Sequence, residues 1–239
     1  MTPRGGSAPR EALSRDRVLA TAVATADRRG LEAVSMRQLA KELGVVPMAL
    51  YRHVASKDEL LDGMVDRVIG EIAAPETGLP WRGTLRSRIL SARSTLLRHP
   101  WARRVMESKT VPTPIVLGYL NSTIGVQLAG GLSVDLTHHA MHALGSRIFG
   151  FTQELYNNSQ DAEPIPDEAV EQLAQAFPAI AAIAVSRDHD GSSVVGSGCD
   201  DQFEFEFALD VVLDGIERLH RIGWTSSMAA TSAAAATEC

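Results

Sequence analysis

The sequence predicts an all-α chain, and three observations carry that expectation. Aromatic residues make up only 5% of the 239 residues, and no run of Val, Ile, Thr and Tyr alternates strictly, as a half-buried strand would. Apolar residues recur instead at three- and four-residue spacing. Two Ser-x-x-Gln/Glu signatures, Ser35 with Gln38 and Ser56 with Glu59, mark helix starts by the reciprocal capping they allow.

Taken in order, residues 1–13 mix Gly, Pro, Ser and Arg and are expected to form a flexible arm. A helix begins near Ser14. Val18, Leu19, Ala22, Val23 and Ala26 fall on one face of it, and Gly30 closes it. Ser35 opens a second helix that Gly44 ends. Pro47 suits the first turn of a third helix, where its missing N–H would have had no partner. Ser56 opens a fourth and longer helix carrying Leu60, Leu61, Met64, Val65, Val68, Ile69 and Ile72 on a periodic face. The stretch "APETGLPW" (74–81) is a Pro/Gly break and the expected domain boundary. Helices are then expected at about 82–98, 101–109, 113–130 and 134–157, a loop at 157–166 and a short helix at about 167–184. The Gly/Ser/Asp-rich 186–201 reads as mobile, a last helix runs from about Phe203 to Arg221, and 223–239 reads as a disordered tail.

Composition bounds the function classes. An apolar content of 45% with 22% charged residues is ordinary for a globular protein. No apolar run is long enough to span a membrane, so no membrane partner is expected. The N-terminal stretch has no apolar core of the secretory kind. Cys199 and Cys239 make neither a disulfide scaffold nor a zinc site, and a reducing cytoplasm is the expected home. The net charge of −6 hides an asymmetry: residues 1–57 hold ten Lys/Arg against five Asp/Glu, and the remainder thirteen against twenty-four. A basic head on an acidic body suits a polyanion at one end only.

The two short helical patterns at 36–43 and 47–53, separated by a three-residue break with Gly44, have helix-turn-helix spacing. Leu39, Ala40, Leu43, Val45 and Leu50 are the apolar residues that would hold the pair against the first helix. The third helix then offers Pro47, Met48, Tyr51, Arg52 and His53 outward, and a DNA major groove is wide enough for one helix. Arg52 can pair with two acceptors of guanine, Tyr51 can bond a phosphate, and Met48 or Ala49 can touch a thymine methyl. Lys57, at the next helix N-terminus, offers charge and free N–H groups to a phosphate.

These residues carry a resemblance. "VLATAVATADRRGLEAVSMRQLAKELGV" and "ALYRHVASKDEL", within residues 14–61, closely resemble the N-terminal domain of the Tet repressor family of bacterial regulators. The resemblance implies that Ser35 and Arg37 meet the DNA backbone or a base, that Pro47, Met48, Tyr51, Arg52 and His53 occupy the recognition helix, and that Lys57 holds a phosphate. The family often has a polar residue where Met48 or Ala49 stands, so base reading here leans on Arg37, Arg52 and apolar contacts.

Residues 81–222 resemble the C-terminal domain of the tetracycline-repressor branch in "LLRHPW", "ALGSRIFGF" and "FEFALDVVLDGIERL". That implies helices at about 134–157 and 203–221 packing with their twofold mates as a four-helix dimer interface. The residues fit independently: Phe205, Ala208, Leu209, Val212, Ile216 and Leu219 form a seam-like stripe that Phe203, Phe207 and Val211 widen. A homodimer also follows because one helix-turn-helix reads few bases. Trp101, Met106, Ile115, Leu117, Leu120, Phe149 and Phe151 are candidates for an apolar effector cavity, with His142 at its edge. Met106 stands where tetracycline-binding members place a metal-contacting histidine, which argues against a metal–tetracycline chelate here. His138 and His142 have metal-ligand spacing, but no further Cys or carboxylate cluster joins them and His139, and no metal or other cofactor is expected.

Rival readings fare less well. An enzyme needs convergent acid, base or nucleophile residues, and no G-x-S-x-G, H-E-x-x-H or phosphate-cradling Gly loop occurs. A purely architectural DNA binder has no need of a large acidic helical domain. A metal sensor differs only in effector. The expectation is therefore an N-terminal three-helix helix-turn-helix DNA-binding domain with its connecting helix (14–73) plus a larger helical ligand-binding and dimerisation domain (81–222). Its partners would be double-stranded operator DNA, a small-molecule effector and a second copy of the chain.

Overall fold

The structure, a computed structural model, describes residues 12–150, 167–179 and 201–228, and no strand occurs among them. The expectations for the arm, the loop at 157–166, the stretch 186–200, both cysteines and the tail beyond Met228 lie outside the described residues. The chain divides into two compact units, residues 1–132 and 133–239, so the Pro/Gly break at 74–81 lies inside the first.

The first unit contains α1 (Arg15–Arg29), a 3₁₀ turn (Leu31–Ala33), α2 (Met36–Leu43), α3 (Pro47–Leu50), α4 (Lys57–Gly70), α5 (Trp81–Arg98), α6 (Trp101–Glu107) and α7 (Pro114–Ala129). Its starts follow local chemistry. Ser14, Ser35 and Ser56 each accept the backbone N–H of the third residue of the helix they open, satisfying a donor that has no intrahelical partner. The two capping boxes are not closed in the expected way. The Gln38 amide turns to Glu42 Oε1 at 2.8 Å, and Glu59 Oε2 accepts from the N–H of Ala55, not of Ser56. Gly44 ends α2 at φ 69°, and its conformation lets the Val45 N–H reach Ala40 O at 3.0 Å.

One apolar core runs through this unit. Val18, Ala22 and Ala26 of α1, Leu39 and Ala40 of α2, Leu50, and Leu60, Met64 and Val68 of α4 are buried together with Ala92, Trp101, Ala102 and Val105. The helix α4 is therefore common to the N-terminal head and to α5–α7. Gly63 permits its close approach to α1: a Cβ there would stand 2.7 Å from Leu19 Cδ2.

The second unit contains α8 (Val134–Gly150), α9 (Asp167–Ala176) and α10 (Asp201–Arg221). α8 packs on α10, burying Leu136, Ala140 and Leu144 on one side and Phe205, Leu209, Leu213 and Ile216 on the other. The single wide stripe expected on α10 is thus two stripes: Phe203, Phe207 and Val211 stay exposed. α9 stops at Ala176, residues 178–179 are helical again after a break at Phe177, and 180–184 lie outside the described residues. Phe177 precedes Pro178, whose ring disfavours helical backbone before it and which has no N–H to continue the ladder. The chain is also ordered past Arg221: Trp224 packs edge-on against His139, and Asp135 Oδ2 accepts the Ser226 N–H at 2.6 Å.

Candidate nucleic-acid interface

The α2–turn–α3 segment presents the expected side chains, with one correction of form. The third helix is regular only over Pro47–Leu50; Tyr51, Arg52 and His53 continue it as a hydrogen-bonded turn, with the His53 and Val54 N–H groups both bonded to Leu50 O. Leu50 and Val54 are fully buried, and pinning both to the core curls the chain here before α4 starts. Ser35, Arg37, Pro47, Met48, Tyr51, Arg52 and Lys57 are exposed, whereas Ala49 and His53 are half-buried.

Charge is sorted on this unit. Arg15, Arg67, Arg98, Arg104 and Lys109 each meet a carboxylate, and Arg28 and Arg29 share Glu42. Arg37, Lys41, Arg52 and Lys57 form no ion pair among the described residues. They flank Met48 and Val46, which are 72% and 67% exposed. Exposed apolar side chains among unpaired cations suit a duplex groove, which offers phosphates at its edges and thymine methyls on its floor. Sequence reasoning overlooked Lys41 and Val46; the i,i+4 spacing of Lys41 from Arg37 was the available signal. At Lys57, Asp58 and Glu59 follow in the same first turn, so attraction for phosphate rests on the ammonium more than on the helix end.

The two units differ in how they place the other candidates. Met106 lines a cleft of about 100 Å³ with Val65 of α4 and Val111, Pro112 and Val116 of the α6–α7 region. Lys109 Nζ closes on Asp62 Oδ1 at 2.8 Å, and Thr113 donates to Asp66, so the α6–α7 segment is strapped to α4. The hydrogen bond to Asp62 raises the Lys109 pKa above its ordinary value. Trp101 is buried in the core and donates to Asp27; Leu117 is half exposed, and Leu120 is half-buried. Neither Trp101, Leu117 nor Leu120 lines this cleft. His142 is exposed in the second unit with its ring 4.8 Å from that of His138, and the Phe149 side chain lies outside the described residues. His139 lies 3.6 Å from Asp135, and among the described residues no group of three or more His, Cys, Asp or Glu side chains is arranged to hold a metal. Among the described residues no helix is long and apolar enough to cross a membrane.

Comparison with known proteins agrees with this geometry. Residues 18–64 match the family model described as bacterial regulatory proteins, tetR family, and residues 74–220 match the tetracyclin repressor-like C-terminal domain. The HTH-type transcriptional repressor DrrR1 of Streptomyces coeruleorubidus is 31% identical over 224 residues, covering 90% of this chain and 82% of that protein. The class G tetracycline repressor of Vibrio anguillarum is 27% identical over 87% of this chain and 95% of its own length. The Streptomyces coelicolor TetR family protein ActR, solved in complex with (S)-DNPA, superposes with a TM-score of 0.62 at 25% identity, over 88% of this chain and 100% of that one.

Proposed function

The chain belongs to the tetR family of bacterial regulatory proteins, and from that premise we propose a homodimeric repressor released from a palindromic operator by a small, largely apolar effector. The DNA half of the reading is supported by the unpaired cations around exposed Met48. In it Arg52 reads a guanine, Met48 or Ala49 meets a thymine methyl, and Ser35, Tyr51 and Lys57 hold phosphates. Arg37 reaches the backbone or a base, while Pro47 and His53 shape the reading surface. Such a protein acts where the DNA is, in the cytoplasm.

Dimerisation is assigned to α8 and α10, because Phe203, Phe207 and Val211 leave an apolar stripe on the side of α10 away from α8. Two heads fixed by one interface would sit about one helical turn, ~34 Å, apart.

The single observation that carries the regulatory half is the sharing of α4. Leu60 and Met64 belong to the head's core, while Asp62 and Val65 of the same helix wall the cleft. An effector that enlarges the cleft at Met106 and Val116 must move α4, and with it the head. Two heads that must meet two half-sites tolerate little change in separation. Couplings of this kind are about 1–3 kcal/mol. ActR was solved with (S)-DNPA and with actinorhodin, which supports an organic effector for this chain also. The test is reciprocal linkage: compounds that bind the free protein are titrated again with operator DNA present. An effector of the proposed kind binds the operator complex more weakly, by the factor by which it weakens operator binding. Equal affinity in both titrations contradicts induced release.

A further inference from the structure

Arg88, in α5, is only 5% exposed, and all its partners among the described residues are uncharged. Its Nε donates to Thr123 Oγ1 at 3.0 Å and its Nη1 to Ala73 O at 2.8 Å. Its Nη2 reaches Ser122 Oγ at 2.5 Å and Tyr119 O at 3.4 Å, and the guanidinium lies 4.5 Å from the centre of the Tyr119 ring. These contacts satisfy most of the five N–H donors, and the ring face of Tyr119 meets the charge only in part, with no anion among the described partners. The other buried basic group with described partners, His99, sits between Asp27 and Glu71. Burial holds the Arg88 guanidinium below the ordinary arginine range, Tyr119 opposes that in part, and among the described residues no carboxylate pairs with it.

A buried cation is ordinarily paired with an anion. A neutral glutamine or a lysine could bond some of these acceptors, so hydrogen bonding alone does not account for a guanidinium here. Two connections lead from it to the cleft. Tyr119, whose ring stacks on Arg88, is one helical turn from Val116 in the cleft wall. Ala73, whose carbonyl Arg88 holds, follows the end of α4, which carries Asp62 and Val65.

We propose that Arg88 is a binding residue for an acidic group, a carboxylate or an acidic phenol, carried by an otherwise apolar effector. The proposal rests on the effector reading given above and narrows its chemical class. An acid arriving at the guanidinium supplies the missing charge and competes with Ala73 O for Nη1, so recognition of the acid acts directly on the segment that ends α4.

The test uses the full-length chain at fixed ionic strength and matched pairs of aromatic acids and their methyl esters, beginning with anthraquinone-2-carboxylic acid. Calorimetry or fluorescence quenching is expected to show the acid binding at least about tenfold tighter than its ester. In Arg88→Met the acid-to-ester ratio should fall to near one, and Arg88→Lys should keep part of the preference. Benzoate against benzamide is a second arm that requires no particular ring system: benzoate should raise the wild-type melting temperature more. Equal effects of acid and neutral partner in both arms, including no binding by either, overturn the proposal, as does a preference that survives in Arg88→Met. Should Arg88→Met fail to fold by circular dichroism, the wild-type ratios decide alone. Esters that release operator DNA as well as their acids sink the role of Arg88 and leave the repressor reading standing. Acids that bind through Arg88 without releasing DNA do the reverse.

Discussion

The indole nitrogen of Trp101 donates to Oδ1 of Asp27 at 2.7 Å, joining the first turn of α6 to the C-terminal part of α1. The same oxygen meets His99 Nδ1 at 2.8 Å, and the other nitrogen of that ring lies 3.2 Å from Glu71, just past α4. Burial works to raise the Glu71 pKa, and hydrogen bonds from Arg98 and His99 outweigh it and leave it lowered. One small polar cluster therefore fastens the reading head to α5 and α6, beside the apolar core that also joins them.

Removing its acceptor should loosen that joint. Asp27→Ala leaves the buried Trp101 N–H without its partner, and the expected loss of unfolding free energy in urea is about 1–3 kcal/mol. Asp27→Asn keeps an acceptor and should cost less. A change of under about 0.5 kcal/mol for Asp27→Ala would show the cluster to be incidental.

At the DNA surface, Arg52 and Lys57 should separate in kind. Arg52→Ala is expected to cost about 1–3 kcal/mol and to relax sequence preference at one position. Lys57→Ala should weaken all sequences alike and reduce the salt slope by about one. Binding-site selection with each variant, followed by salt titration, checks both; identical profiles contradict the assigned roles.

Gly44 allows a narrower test of the turn. No heavy atom lies within 4 Å of where its Cβ would stand, so Gly44→Ala meets no clash and only the strain of φ 69°. The expected cost is about 1 kcal/mol, read by thermal or urea unfolding. A neutral result would mean the turn relaxes to another geometry.

Glu42 sets a pH dependence. Hydrogen bonds from Gln38 and Thr25 lower its pKa, with Arg28 and Arg29 adding to the effect. A carboxylate lowered on folding stabilises the native state above its unfolded pKa, and that contribution is lost as pH falls through the folded value. Glu42→Gln should therefore be less stable than wild type at neutral pH, with the two curves converging in acid. Parallel curves throughout the acid range would contradict this.

Much of the head was legible because its signals are local. Ser14, Ser35, Ser56, Gly30, Gly44 and Pro47 act within a few residues of themselves, and each stands at the helix boundary expected of it. Partners distant in sequence were not legible. The reach of Gln38 to Glu42 instead of back to its cap depends on Thr25, Arg28 and Arg29 of α1. The division of the α10 stripe depends on where α8 lies. Arg88 is one of five arginines in α5, nothing local sets it apart from the others, and only its packing against α7 shows it as buried. Pro178 was a local signal that the helix expectation passed over.

The central claim is sequence-specific operator binding by the surface around residues 35–57. It is tested most directly by anisotropy titration of the full-length protein at about 150 mM salt. The two targets are the DNA upstream of its own gene and a shuffled duplex of equal composition and length. The account expects a preference of about 10³ or more for the upstream DNA, with a twofold-symmetric footprint of half-sites about one helical turn apart. Equal affinity for the two duplexes would contradict it.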